Sequence, residues 1–180
     1  LFEATRSAGV EIRTSVKTIS VSIKEGRIQG VEVPEGSIES PSVVVAEGCW
    51  TGLDQDLGIK IKVSAERGQI LVLRSSPSLY PRHILHTVRW AYIVPWPGQR
   101  LLIGSTLEPN VGFDNRVTPE GREDILNRVS EMMEEIRSLP VEKSWSGLRP
   151  YADRGMPLIG PTRIPGLYLA VGYYRSGILI

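Results

Sequence analysis

The sequence predicts an α+β fold: a mixed and antiparallel β-sheet carrying one helix, flanked by strands of a second, incomplete unit. Three observations carry this. Short segments rich in Val, Ile and Thr alternate with turn-forming pairs over most of the 180 residues. Only one segment, beginning at Thr118, repeats apolar residues at the helical period. Two apolar runs, Ser42–Trp50 and Gly166–Val171, lie in the flanking segments, and the first reads as a strand buried on both faces, as in a parallel sheet.

The opening LFEATRSAGVEI reads as the tail of a helix leading into a strand. Glu11–Val16, Thr18–Ile23 and Arg27–Val33 follow as an antiparallel meander punctuated by the turn signals KEGR and PEGS. After SVVVAEGCW, Gln69–Leu73 is a strand introduced by Arg67-Gly68, Ala91–Pro95 is another, and Gly98–Thr106 is its hairpin partner beyond a PWPGQ turn. The helix has Thr118 as N-cap, Pro119 at its first position and Glu120 in its first turn. Ile125, Val129, Met132, Ile136 and Leu139 mark its buried stripe, Pro140 ends it, and Glu131, Glu134 and Glu135 form a solvated face. Glu142–Pro161 reads as a long irregular segment, of the kind that in compact domains tends to be functional. The chain closes on GYYRSGILI, a glycine-flanked turn opening into a helix. Residues 1–50 and 149–180 are expected to belong together, with 51–148 between them as a separate domain.

Composition narrows the function classes. Lys plus Arg number 21 against 20 Asp plus Glu, and without a basic or aromatic-basic stripe nothing points to nucleic acid. No apolar stretch reaches the roughly 18 residues of a membrane span. The single Cys49 excludes an internal disulfide, fits a cytoplasmic setting and reads as a small buried residue. His83 and His86, three apart in a predicted strand, face opposite sides, so no metal site is expected. The missing initiator Met and the bare aliphatic terminus suggest a piece of a longer protein.

What stands out chemically is arginine in Gly/Pro-rich context. Arg149, in WSGLRP, is held by rigid apolar neighbours; its fork suits either a carboxylate ligand or a structural ion pair. Arg175 lies in the closing turn, where Gly172 and Gly177 permit close backbone approach. Tyr92, in AYIVP, either packs or points its hydroxyl into a cleft, and Arg67 in ERGQ reads as structural.

The blocks VVVAEGCW, ERGQILVL, AYIVPWPGQRLLIGSTLE, WSGLRPYADRGMPLIGP and GLYLAVGYYRSGIL, in this order, resemble the FAD-dependent D-amino-acid oxidase family, its glycine oxidase-like members above all. The resemblance implies that 1–50 and 149–180 belong to a Rossmann-type FAD-binding domain and 51–148 to a substrate domain. It also implies a small amino acid as substrate, oxidised at its Cα–N bond by hydride transfer to FAD, with peroxide and an oxo acid as products. A homo-oligomer is compatible with it. By match to the family motifs, Arg149 clamps the substrate carboxylate, Tyr92 belongs to the active-site wall, and Arg175 lies between cofactor and substrate. Gly172, Tyr173, Tyr174, Arg175, Ser176, Gly177, Ile178 and Leu179 match the flavin-contacting turn. Val16 matches a backbone contact on the adenine side, and Gly48 and Trp50 follow the strand beside the cofactor.

The chain also departs from the family pattern. Tyr173 and Ser176 replace the His and Asn usual in that turn, Glu47 stands where a small residue is common, and no GxGxxG occurs. These departures keep two other readings open: a non-catalytic binding module, and a flavin dehydrogenase that uses an acceptor other than oxygen.

Overall fold

The structure, a computed structural model, describes residues 1–51, 59, 61–87 and 90–177. It divides into two compact units, Leu1–Ile61 with Leu158–Val171, and Lys62–Pro157 with Gly172–Ile180. The segment carrying Arg149 and the described part of the closing turn thus fall in the second unit.

In the first unit, helix α1 (Phe2–Ser7) buries none of its side chains. Strands β1 (Ser20–Lys24), β2 (Arg27–Val33) and β3 (Gly36–Glu39) form an antiparallel sheet in that order. Glu25 and Gly26, both at positive φ, make the two-residue hairpin turn whose twist suits paired strands. The expected strand Glu11–Val16 does not form. Residues 11–15 are exposed, Ser15 bends the chain at φ 62°, and the third strand comes instead from the PEGS side as β3.

A second sheet in this unit has the order β10 (Leu158–Pro161), β11 (Leu167–Val171), β4 (Val43–Val45), with β11 parallel to β4. Strands from residues 43–45 and 158–171 therefore share a sheet. The strand is much shorter than Ser42–Trp50, because Gly48 at φ 61° turns the chain into a 3-10 turn, Gly48–Trp50. Nor is it buried on both faces: Val45 is 4% exposed and Val44 59%, as at a sheet edge covered on one side.

The second unit is built on a five-stranded antiparallel sheet, order β6-β7-β8-β5-β9. Its strands are β5 (Val63–Arg74), β6 (Leu85–His86), β7 (Tyr92–Trp96), β8 (Arg100–Gly104) and β9 (Val141–Ala152). Much of the expected irregular segment Glu142–Pro161 is thus strand: β9 runs beside β5 from Val141 to Ala152, and β10 follows in the first unit. Gly147 and Pro150 make it look unlike a strand, but at a sheet edge a proline costs no internal ladder bond. Helix α2 (Pro119–Ser130) begins as expected, with the Gly121 N–H donating to Thr118 Oγ1 at 3.1 Å. It stops at Ser130, and a 3-10 turn, Glu134–Ser138, carries the stripe on to buried Ile136. Ile125, Leu126 and Val129 pack on Leu71, Leu73, Ile93, Leu101 and Ile103 of the sheet. Burial of each such side chain contributes about 1.5–3 kcal/mol. Glu131, Glu134 and Glu135 are exposed. Among the described residues no helix is long and apolar enough to cross a membrane.

Candidate active site

Side chains alternate across a strand, so β5 presents two chemistries. Arg67, Gln69 and Leu71 face helix α2, while Glu66, Gly68 and Ile70 face the other way. Register extends that second face across the sheet. Glu66 lies opposite Arg149 and Gly68 opposite Gly147 on β9, Ile70 opposite Gly104 on β8, and Gly104 opposite Tyr92 on β7.

Two glycines let two functional side chains lie flat on this face. A methyl group on Gly68 would overlap the Arg149 guanidinium, and one on Gly104 would come within 2.9 Å of the Tyr92 hydroxyl. Arg149 Nη1 donates to the Thr106 carbonyl at 3.1 Å, and Nη2 to Ser105 Oγ at 3.0 Å. These bonds use two of the five N–H donors of a guanidinium. Burial lowers the Arg149 pKa from its ordinary value. Arg175 adds to the lowering, while Tyr92, Tyr174 and Glu66 oppose it. Arg149, half-buried, and Tyr92 thus lie on one face of the sheet and act on each other electrostatically.

That turn docks on the same sheet through Tyr174. Its N–H donates to the Pro150 carbonyl at 3.0 Å, its ring meets Tyr151 edge-on at 5.1 Å, and its hydroxyl donates to Glu66 Oε2 at 2.8 Å. Burial first, then the Glu66 hydrogen bond and charge, push the Tyr174 phenol up to about 12. Tyr173 bridges Tyr151, and Gly172 at φ 75° is buried so close to Ala152 that no side chain fits there. Exposed Arg175 places its guanidinium carbon 3.9 Å from the Trp90 ring centroid, a cation–π contact, and Trp90 in turn meets His86 edge-on at 5.9 Å. The structure therefore brings Arg149, Tyr92, Arg175, Tyr173 and Tyr174 together within the second unit. Ile178 and Leu179 lie outside the described residues.

Behind the sheet lies a buried polar network. Arg67 donates twice to Glu108 Oε2, at 2.6 and 3.0 Å, and pairs with Asp114 at 3.3 Å. Gln69 Nε2 donates to Glu108 Oε1 at 2.8 Å, and Gln69 Oε1 accepts from the Thr118 N–H at 2.9 Å. Thr106 Oγ1 donates to Glu108 and accepts from the Gln69 N–H, tying the network to the residue whose carbonyl holds Arg149. Arg67 is structural, as the sequence suggests.

Sequence reasoning missed four members of this arrangement: Glu66, Trp90, Ser105 and Thr106. Strand parity along β5 would have put Glu66 on the Gly68 face, but nothing local marks the loop residues.

In the first unit, Val16 is half-buried beside the bend at Ser15, and Gly48 begins the 3-10 turn after β4. The Thr51 hydroxyl donates to the Gly48 carbonyl at 2.9 Å. Trp50 is exposed, and burial pushes the Cys49 thiol up, away from reactivity.

Do these residues suit a flavin? In the closing turn the N–H groups of Tyr174 and Ser176 are satisfied internally, whereas among the described residues those of Arg175 and Gly177 donate to no acceptor. Such free donors suit carbonyl oxygens such as those of a flavin ring. The chain has no glycine-rich turn for a pyrophosphate.

A family model described as FAD dependent oxidoreductase matches residues 1–180. Glycine oxidase of Pseudomonas aeruginosa is 35% identical over 156 residues, which cover 86% of this chain and 42% of the relative. Glycine oxidase of Geobacillus kaustophilus is 36% identical over 152 residues, covering 81% and 38%. The crystal structure of glycine oxidase from Bacillus cereus superposes with a TM-score of 0.88 at 30% identity, covering 98% of this chain and 48% of that one. The chain spans less than half the length of these relatives.

Proposed function

Given that the chain belongs to the FAD dependent oxidoreductase family, we propose that it supplies the substrate-binding face of a flavin enzyme. That enzyme oxidises the Cα–N bond of glycine or a small D- or N-methyl amino acid. The similarity to glycine oxidases supports the choice of substrate. The observation that carries it is Arg149 laid across Gly68, half-buried beside Tyr92, with two donors engaged and, among the described residues, no further hydrogen bond.

In this reading Arg149 takes the substrate carboxylate as a fork and so fixes where Cα lies. Tyr92, stacked over Gly104, bounds the pocket and offers its hydroxyl to the bound amino acid. The backbone of the turn from Gly172 to Gly177, with Arg175, would hold the flavin ring; Val16, Gly48, Trp50, Ile178 and Leu179 are assigned to FAD by the family resemblance alone. Bound there, the flavin would supply a two-electron acceptor, with dioxygen as the oxidant that regenerates it and hydrogen peroxide as the product. The protein's own task is positioning and electrostatics, in keeping with the arginines and tyrosines that this face holds.

The test is peroxide formation by the full-length flavoprotein with glycine, sarcosine and D-alanine. Saturable turnover lost through KM in Arg149→Ala is expected; indifference of KM to that change for every substrate would overturn the assignment. A second reading, a module with no flavin of its own, is favoured by Tyr173 and Ser176, which stand in the closing turn where the family has His and Asn. Measured flavin content of the 180-residue chain separates the two, since stoichiometric FAD would rule the second out.

A further inference from the structure

We propose that Glu66 sets the charge preference of this site, so that it accepts a ligand with one carboxylate and discriminates against a second. The inference rests on the reading of Arg149 as the carboxylate clamp.

Glu66 and Arg149 are direct cross-strand partners on one face of an antiparallel pair, where Cβ atoms stand roughly 4.5–5.5 Å apart. Opposite charges so placed usually pair. Here, among the described residues, they do not: Arg149 leans over Gly68 to Ser105 and Thr106, and Glu66 takes the Tyr174 hydroxyl. Both groups therefore stay available to a third party. Glu66 Oε1 has no hydrogen-bond partner among the described residues, and its charge still acts on Arg149.

Among the described residues, the charges on this face are two guanidiniums, Arg149 and Arg175, and one carboxylate, Glu66. Two arginines alone would suit a dicarboxylate. With Glu66 between Arg149 and the turn, one ligand carboxylate brings the local sum to zero and a second makes it negative. In a half-buried site such an excess is costly, because interactions between charges are screened less than in water. Arg175 also spends part of its charge on the Trp90 face. Tyr174 holds the Glu66 carboxylate in place, so the discrimination is built into the sheet.

The experiment titrates the full-length flavoprotein with glycolate and with malonate, reading the flavin absorbance change rather than turnover. Wild type is expected to bind glycolate more tightly. Glu66→Gln keeps an acceptor for Tyr174 and removes the charge; it should shift the malonate-to-glycolate affinity ratio towards malonate by about tenfold, as for loss of one nearby charge. Glu66→Ala should shift the ratio the same way. Tyr174→Phe keeps the charge, so it should leave the preference in place. An unchanged ratio in both Glu66 variants, or an equal shift in Tyr174→Phe, would overturn the proposal. Arg149→Ala addresses the underlying reading separately: if it weakened neither ligand, the carboxylate clamp itself would be wrong.

Discussion

The Arg149 guanidinium lies across Gly68, two residues along β5 from Glu66, its partner in register. Gly68 is not at a positive φ, so its role is space. Gly68→Ala should therefore displace the guanidinium without straining the backbone. We expect KM to rise about tenfold or more, since a hydrogen bond to a charged group contributes about 1.5–3 kcal/mol. Steady-state kinetics of the full-length flavoprotein check this, with circular dichroism as a control on folding. A KM within twofold of wild type would show that Arg149 does not need its present position.

Arg149→Lys should not be conservative. An ammonium is a point donor and cannot reach Ser105, Thr106 and a carboxylate with a planar fork. KM should rise by about tenfold, again from the loss of one charged hydrogen bond, with a smaller change in kcat. Equal affinities of the Lys and Arg enzymes for glycolate would contradict the bidentate role.

Tyr174 predicts an alkaline limb of stability. Its phenol is pushed up to about 12, whereas an unfolded tyrosine ionises near 10. The native state thus holds the proton more tightly. The contribution is complete below about pH 10 and is lost as pH rises through about 12. Tyr174→Phe should cost about 1.5 kcal/mol near neutrality, the low end for a hydrogen bond to a charged group at a partly exposed site, and should flatten that limb. Urea unfolding from about pH 8 to pH 12 measures both effects; parallel curves for the two proteins would refute them.

Glu108 predicts an acid limb. Burial pushes its carboxyl up, but hydrogen bonds from Arg67, Thr106 and Gln69 outweigh this and hold it below its ordinary value. Its contribution is therefore present above the unfolded carboxylate pKa of about 4.3 and lost as pH falls through the lower folded value. Arg67 is 8% exposed in its side chain and Glu108 24%, so Arg67→Met should cost about 2–3 kcal/mol, below the 3–5 of a fully buried pair. Glu108→Gln should flatten the acid limb. An unaltered acid midpoint in Glu108→Gln would mean that another carboxylate governs it.

The candidate residues that the sequence singles out each stand in an unusual local setting: Arg149 between Leu148 and Pro150, Arg175 between glycines, Tyr92 at the head of a strand. Their surroundings carry no such mark. Glu66 sits in an ordinary strand and becomes significant only when β9 pairs with β5 and sets Arg149 opposite it. Trp90 reads as one more aromatic until Arg175 is laid on its ring. β9 itself was mistaken for a loop because Gly147 and Pro150 depress its strand propensity, and the long partner β5 overrides that local weakness.

The sequence by itself determined the helix start at Thr118-Pro119, the hairpin around PWPGQ and the family resemblance. These follow from turn chemistry, hydrophobic period and motif order, all written locally along the chain. Tertiary structure alone decided that Arg149 lies flat on a glycine, that Glu66 faces it without pairing, and that Tyr174 clasps the turn to the sheet. Those relationships depend on strand register, and register is fixed by non-local pairing that no window of sequence contains.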